Sequence, residues 1–214
     1  MARTDEQYKQ LSIKEFTKAA DVYETDHAGI YEMCRKDYPP ILEELKKRPF
    51  KNLLDVGCGT GPMIELLLEE FDDIVCTGLD LTPRMIEVAS AKGLPHARFV
   101  VGDSENMPFE NESFDAVICA NSFHHYPNPD KFIAEVHRVL QPGGIFVLRD
   151  YTSASAVIWL MNHIEMPLAH LAGHGDVRAY TIKQVRSLVE RVGLVIQTLE
   201  PRAGFRLHMV ALKP

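Results

Sequence analysis

The residues of this sequence with chemical potential fall into a few short clusters. Gly57, Gly59 and Gly61 alternate within Leu53-Leu54-Asp55-Val56-Gly57-Cys58-Gly59-Thr60-Gly61-Pro62. Glycine at such positions lets the backbone turn sharply and admits a ligand close to the main chain. A helix following the turn would add free N–H groups and a positive dipole end. Carboxylates stand at Asp55, Asp80 and Asp103, and two imidazoles are adjacent at His124 and His125. A histidine titrates near neutral pH and so can take a proton from a hydroxyl or an acidic carbon. The plainer reading is that the pair shapes a pocket. His163, His170, His174 and Asp176 hold the donor types of a metal site, but their spacing matches no ligand pattern, so no metal is expected.

These residues need elements to place them. From residue 51 the chain alternates short apolar runs with helical patterns. Strands are expected at 52–57, 74–80, 97–103, 114–121 and 144–150, and helices at 62–71, 83–92 and 129–140. The runs are rich in Val, Ile, Leu and Phe, as suits strands buried on both faces. Thr82 before Pro83 reads as a helix start, and Pro142-Gly143-Gly144 as a stop. Such alternation specifies a parallel sheet between helical layers. A helix is expected from about Thr181 to Arg191, then strands at 194–200 and 205–213. Only Pro201-Arg202-Ala203-Gly204 separates those two strands, too little for a parallel crossover, so they form an antiparallel hairpin. The fold class is α/β: a Rossmann-like, seven-stranded, mostly parallel sheet with an antiparallel last strand and helices on both faces. Residues 1–50 read as a helical extension, with helix over 5–48, preceding the main domain at 51–214. Residues 151–178 read as an irregular segment, and with the extension they are the parts the sheet does not need. They are therefore the candidates for an acceptor pocket.

Two cofactor classes use a glycine-rich turn of this kind. The dinucleotide fingerprint G-x-G-x-x-G requires glycine at position 62, where this chain has proline, which argues against a nicotinamide cofactor. An acid ending the second strand, Asp80, fits either class, since both ligands carry a ribose diol. Taken together, GCGTG, Asp80, Val101-Gly102-Asp103, the SFDAVICANSFHH segment and the LQPGGIFVLRD segment resemble class I S-adenosylmethionine-dependent methyltransferases. The likeness is strongest to small-molecule and quinone-biosynthesis members and runs from about residue 50 to the C-terminus. It implies that Asp55 and the backbone of Gly57, Cys58, Gly59 and Thr60 hold the amino-acid end of S-adenosylmethionine. Asp80 would take the ribose hydroxyls, Leu81 and Met85 would pack near the adenine, and Asp103 with Ser104 would meet its amino group. Asn121 would lie near the methionine moiety, and Tyr23 would close over the cofactor as a lid.

Composition limits the alternatives. The 214 residues carry 23 Lys+Arg against 30 Asp+Glu, a formal charge of −7, which disfavours a nucleic-acid substrate. The scattered thiols Cys34, Cys58, Cys76 and Cys119 form no ligand or disulfide pattern and suit a reducing cytoplasm. No run reaches the ~18 apolar residues of a membrane span. The mixed charges of residues 1–16 do not read as a secretory signal. The expected activity is methyl transfer to a small organic acceptor. The rivals are a cofactor-binding module without transfer, an NAD-dependent oxidoreductase, and a protein or nucleic-acid methyltransferase.

Overall fold

The computed structural model describes residues 3–25, 30–171 and 173–214. Positions 26–29 of the expected N-terminal helical run and position 172 of the 151–178 segment lie outside them. Helix α1 (Asp5–Ala19) opens with a reciprocal cap: the Thr4 hydroxyl accepts from the Gln7 N–H while the Gln7 side chain accepts from the Thr4 N–H. Helix α2 (Ile30–Cys34), a 3-10 turn at Arg35–Asp37 and helix α3 (Tyr38–Leu45) follow. Then come β1 (Asn52–Val56), α4 (Pro62–Glu70), β2 (Val75–Asp80), α5 (Pro83–Ala91), β3 (Ala97–Val101) and β4 (Phe114–Ala120). The chain continues through α6 (Pro129–Val139), β5 (Leu140–Tyr151), α7 (Ser155–Leu160), α8 (Met166–Leu171), α9 (Ile182–Arg191), β6 (Val195–Arg202) and β7 (Arg206–Leu212).

The seven strands lie in the order β3-β2-β1-β4-β5-β7-β6. Strands β1 to β5 pair in parallel, and β7 runs antiparallel to both β5 and β6, as expected. Successive residues of a strand face opposite sides. Leu54, Phe146 and Leu148 thus enter one core with α6 and α9, while Leu53, Ile145 and Val147 enter another with α3 and α4. Strand order reverses between β1 and β4, which opens a crevice at the carboxyl ends of these strands.

Three local expectations need correction. Ile41 and Leu45 of α3 are fully buried in the second core, so a boundary at residue 50 cuts through a packed face. Strand β5 starts at Leu140, not 144, because a register shift near Phe114 and Ala116 absorbs the Pro-Gly-Gly segment. Residues 155–171 are helical: α7 passes through a widened π turn at Met161–Glu165 into α8. Pro167 follows directly on the widened turn and, lacking an N–H, leaves a gap in the helical hydrogen-bond ladder there.

One buried ion cluster joins the two ends of the chain. Asp37 is 1% exposed, and its Oδ1 accepts from Arg149 Nε at 2.9 Å. It also pairs with Arg206, whose guanidinium lies 4.3 Å from the Tyr151 ring centroid.

Candidate active site

The crevice holds a cavity of about 460 Å³. One end is made by the turn from β1 into α4. The Gly57 and Cys58 N–H groups both donate to Leu79 O, at 2.8 and 3.1 Å, which locks the turn onto β2. Gly57 has φ +77°, and a Cβ there would stand 2.2 Å from Ser122 Oγ. Gly59 also has positive φ, +54°, but the nearest atom to its missing Cβ is Tyr23 Cε1 at 3.9 Å, so this glycine keeps the cavity floor bare.

Asp80 ends β2 and accepts from the Gly59 N–H at 3.0 Å and the Thr82 N–H at 2.8 Å. Burial pushes its carboxyl up, while these two donors pull it back. Asp55 is almost fully buried beside it, and burial together with the Asp80 charge raises its carboxyl to about 7. Two carboxylates in one dry crevice, one of them near neutrality, form a site that favours a cation and hydroxyl donors.

Leu81, Met85, Asp103, Ser104, Asn121, Cys58 and Tyr23 also line the cavity. Asp103 is already engaged: Lys9 Nζ donates to its Oδ2 at 2.7 Å, and the Glu105 N–H donates to its Oδ1 at 2.9 Å. Asn121 holds a left-handed backbone, φ +56°, and its side-chain oxygen accepts from Arg206. Tyr23 packs on Tyr31 with ring centroids 5.9 Å apart, and its hydroxyl lies 3.8 Å from Cys34 Sγ. Thr60 does not join them. Its hydroxyl donates to Glu24, and it lies behind the loop, away from the cavity lining.

Phe16, Met33, Met161, Met166, Ala169, His124 and His125 also line the cavity, and Phe16 packs edge-on against His125 with ring centroids 5.1 Å apart. A short 3-10 turn, Phe123–His125, follows β4 and carries both imidazoles inward. His124 Nδ1 lies 2.7 Å from Asp150 Oδ1. Burial alone would lower this imidazole, but Asp150 and Asp176 outweigh it and hold it up to about 10. His125 goes the other way. Burial and the neighbouring His124 charge lower it to about 4, so it is uncharged at neutral pH. Burial would raise Asp176, yet the two imidazoles hold its carboxyl well below the usual range.

The four residues first weighed as a metal cluster do not assemble as a group. His163 stacks on Trp159, with ring centroids 4.7 Å apart, and His174 Nδ1 lies 2.7 Å from Glu15 Oε1. Asp176 turns instead to His124 and His125. Sequence reasoning missed Asp150, Asp176, Lys9 and Glu15 as site residues. Asp150 had a usable signal, a carboxylate near the carboxyl end of a core strand. The others had none, because only tertiary packing brings them in.

Residues 54–148 match the family described as methyltransferase domain. The seven-stranded sheet is shared with a solved S-adenosylmethionine-dependent methyltransferase of Aquifex aeolicus, at a TM-score of 0.64 and 19% identity, covering 83% of this chain and 90% of that one. A phthiotriol/phenolphthiotriol dimycocerosates methyltransferase of Mycobacterium leprae is 43% identical over 108 residues, 50% of this chain and 40% of that protein. A fatty-acid O-methyltransferase of Mycolicibacterium smegmatis is 41% identical over 101 residues, 47% of this chain and 37% of that one. The chain spans about half the length of the curated relatives it matches. The solved structure of Haemonchus contortus phosphoethanolamine N-methyltransferase 2 with S-adenosyl-L-methionine shares this fold. Its TM-score is 0.69 at 18% identity, covering 84% of this chain and 52% of that one. No described helix is long and apolar enough to cross a membrane.

Proposed function

We propose that this chain moves the methyl group of S-adenosylmethionine to a small, largely apolar organic acceptor, in the cytoplasm. The observation that carries this reading is one cavity holding the Gly57–Gly59 turn with Asp55 and Asp80 at one end and the His124–His125 pair at the other. The bound cofactor supplies an electrophilic methyl carbon on a sulfonium; the acceptor's lone pair forms the new bond as the C–S pair returns to sulfur. Asp55 would face the cofactor's ammonium, and the Gly57–Gly59 backbone its carboxylate end. Asp80 would hold the ribose diol through two charge-assisted hydrogen bonds. Leu81 and Met85 would flank the adenine, with Asp103 and Ser104 at its rim and Asn121 near the sulfur. Tyr23 would close over it.

At the acceptor end, His124 and His125 are the candidates to handle the acceptor's proton. Phe16, Met33, Met161, Met166 and Ala169 would exclude water and align the nucleophile, and alignment alone lowers such a barrier substantially. The mycobacterial relatives are named for phthiotriol dimycocerosates and for fatty acids, which supports an acceptor with a hydrocarbon body. Aromatic quinone precursors are the other class to try, on the strength of the sequence likeness. The four described free cysteines are all buried, in keeping with a reducing compartment.

Calorimetry with S-adenosylhomocysteine and turnover against lipid alcohols, fatty acids and phenols test the proposal. Micromolar cofactor binding with methyl transfer to one class is expected. Absence of cofactor binding would end this reading.

A further inference from the structure

Asp176 Oδ1 stands 3.3 Å from His124 Nε2 and 3.5 Å from His125 Nδ1. A charged N–H donating to a carboxylate closes to about 2.7–2.9 Å. Asp150 does so on the far side of His124, at 2.7 Å. Zinc bonds of about 2.1 Å at tetrahedral angles leave neighbouring ligand atoms about 3.4 Å apart. Both gaps around Asp176 have that length, and the three ligand atoms all lie within 4.8 Å of one another.

Two further observations point to a ligand. His125 Nδ1 is buried without a hydrogen-bond partner, a state that folded proteins seldom tolerate. His124 is oriented as a metal-binding histidine is: its Nδ1 meets the Asp150 carboxylate, and its Nε2 is left facing Asp176. Asp150 is itself fixed by the N–H groups of His124 and Tyr151, at 3.2 and 2.6 Å.

We propose that His124 Nε2, His125 Nδ1 and the Asp176 carboxylate bind one divalent transition-metal ion of the zinc class, with a fourth position open to the cavity. Two imidazoles among three donors disfavour magnesium and calcium, which take oxygen ligands. The role of this ion rests on the methyl-transfer reading. With the ion bound, the two imidazoles would act as its ligands in place of taking the acceptor's proton, and a hydroxyl at the open position would release its proton to solvent near neutral pH. The donors come from two segments, the turn after β4 and the loop before α9. The site therefore forms only when the loop is docked, and Glu15 of α1 holds that loop through the Gly175 N–H at 2.7 Å.

The test uses the 214-residue chain, stripped with chelator and titrated with zinc chloride by calorimetry. A parallel titration with cobalt(II) reads the strong visible absorption of four-coordinate cobalt. One ion per chain is expected, with Kd about 10 μM or tighter. His125→Ala and Asp176→Asn should each weaken it at least about 100-fold, and Asp150→Asn about tenfold or more. His163→Ala, outside the cluster, should leave it unchanged. S-adenosylhomocysteine affinity is measured on every variant, and its retention shows that the fold and the cofactor half are intact. No stoichiometric zinc uptake by the unsubstituted chain, or uptake that survives both ligand substitutions, overturns the metal site and leaves the methyl-transfer reading standing. Failure of the unsubstituted chain to bind S-adenosylhomocysteine removes the reading on which the ion's role rests.

Discussion

The two halves of the cavity are built differently. The half proposed for the cofactor is local: Asp55, Gly57 and Gly59 lie within five consecutive residues, and Asp80 ends the next strand. Its hydrogen bonds run to backbone, as between Asp80 and the Gly59 and Thr82 N–H groups. The acceptor half is assembled from distant pieces. The Ser12 hydroxyl donates to Gly175 O, and Glu15 pairs with His174. The lesson is that a rigid half and an adjustable half share one cavity. The rigid half sits on strand ends fixed by two cores, while the adjustable half depends on side-chain contacts between α1 and the loop after α8.

Breaking the rigid half should cost most. Gly57→Ala puts a Cβ against Ser122 at positive φ. It should destabilise by about 3 kcal/mol and abolish S-adenosylhomocysteine binding, as read by thermal unfolding and calorimetry. Gly93→Ala, also at positive φ but with nothing within 4 Å, should cost only about 1 kcal/mol. Next, Asp80→Ala removes a carboxylate poised for two charge-assisted bonds and should weaken S-adenosylhomocysteine binding about 100-fold or more. His125→Ala should change that affinity less than about threefold, because it stands at the other end. Equal losses in the two variants would erase the proposed division of the cavity.

A smaller effect sharpens the electrostatics. The Asp55 carboxyl is raised on folding to about 7. A raised acid favours the protonated folded form, so its contribution to stability is full at low pH and fades as pH rises toward 7. The ligand's ammonium prefers the ionised carboxyl, so affinity for S-adenosylhomocysteine should rise about tenfold between pH 6 and pH 8. Asp55→Asn should flatten that slope; an unchanged slope would assign it elsewhere. Smallest is the loss of the strap between α1 and the cofactor rim. Lys9→Met removes the cation that Asp103 and Glu105 share. It should lower the melting temperature by a few degrees and change cofactor affinity less than about tenfold.

Legibility in the sequence follows the same division. The strands, the β1–α4 turn and the hairpin could be read because buried strands, glycine turns and short loops are local signals. Asp80 was readable for the same reason. Thr60 was expected through its backbone; its buried side chain donates to Glu24, a contact that sequence alone does not reveal. The helix over 155–171 went unread because its apolar residues face both ways. Ile158 and Met166 are buried while Leu160, Ile164 and Leu168 are exposed, and the widened turn breaks the helical period. Asp176 was visible as a residue but could not be matched to histidines some fifty positions earlier, since no local rule spans that distance.

The Asp37 cluster has a practical consequence for anyone trimming this protein. The guanidinium groups of Arg149 and Arg206 converge on one acid contributed by the front of the chain, and α3 caps the sheet just after it. Removing residues 1–50 would strand two cations in an apolar interior and uncover the second core in a single cut. The minimal folding unit must therefore begin ahead of Asp37, and a shortened version starting at the first strand should be recovered as an aggregate.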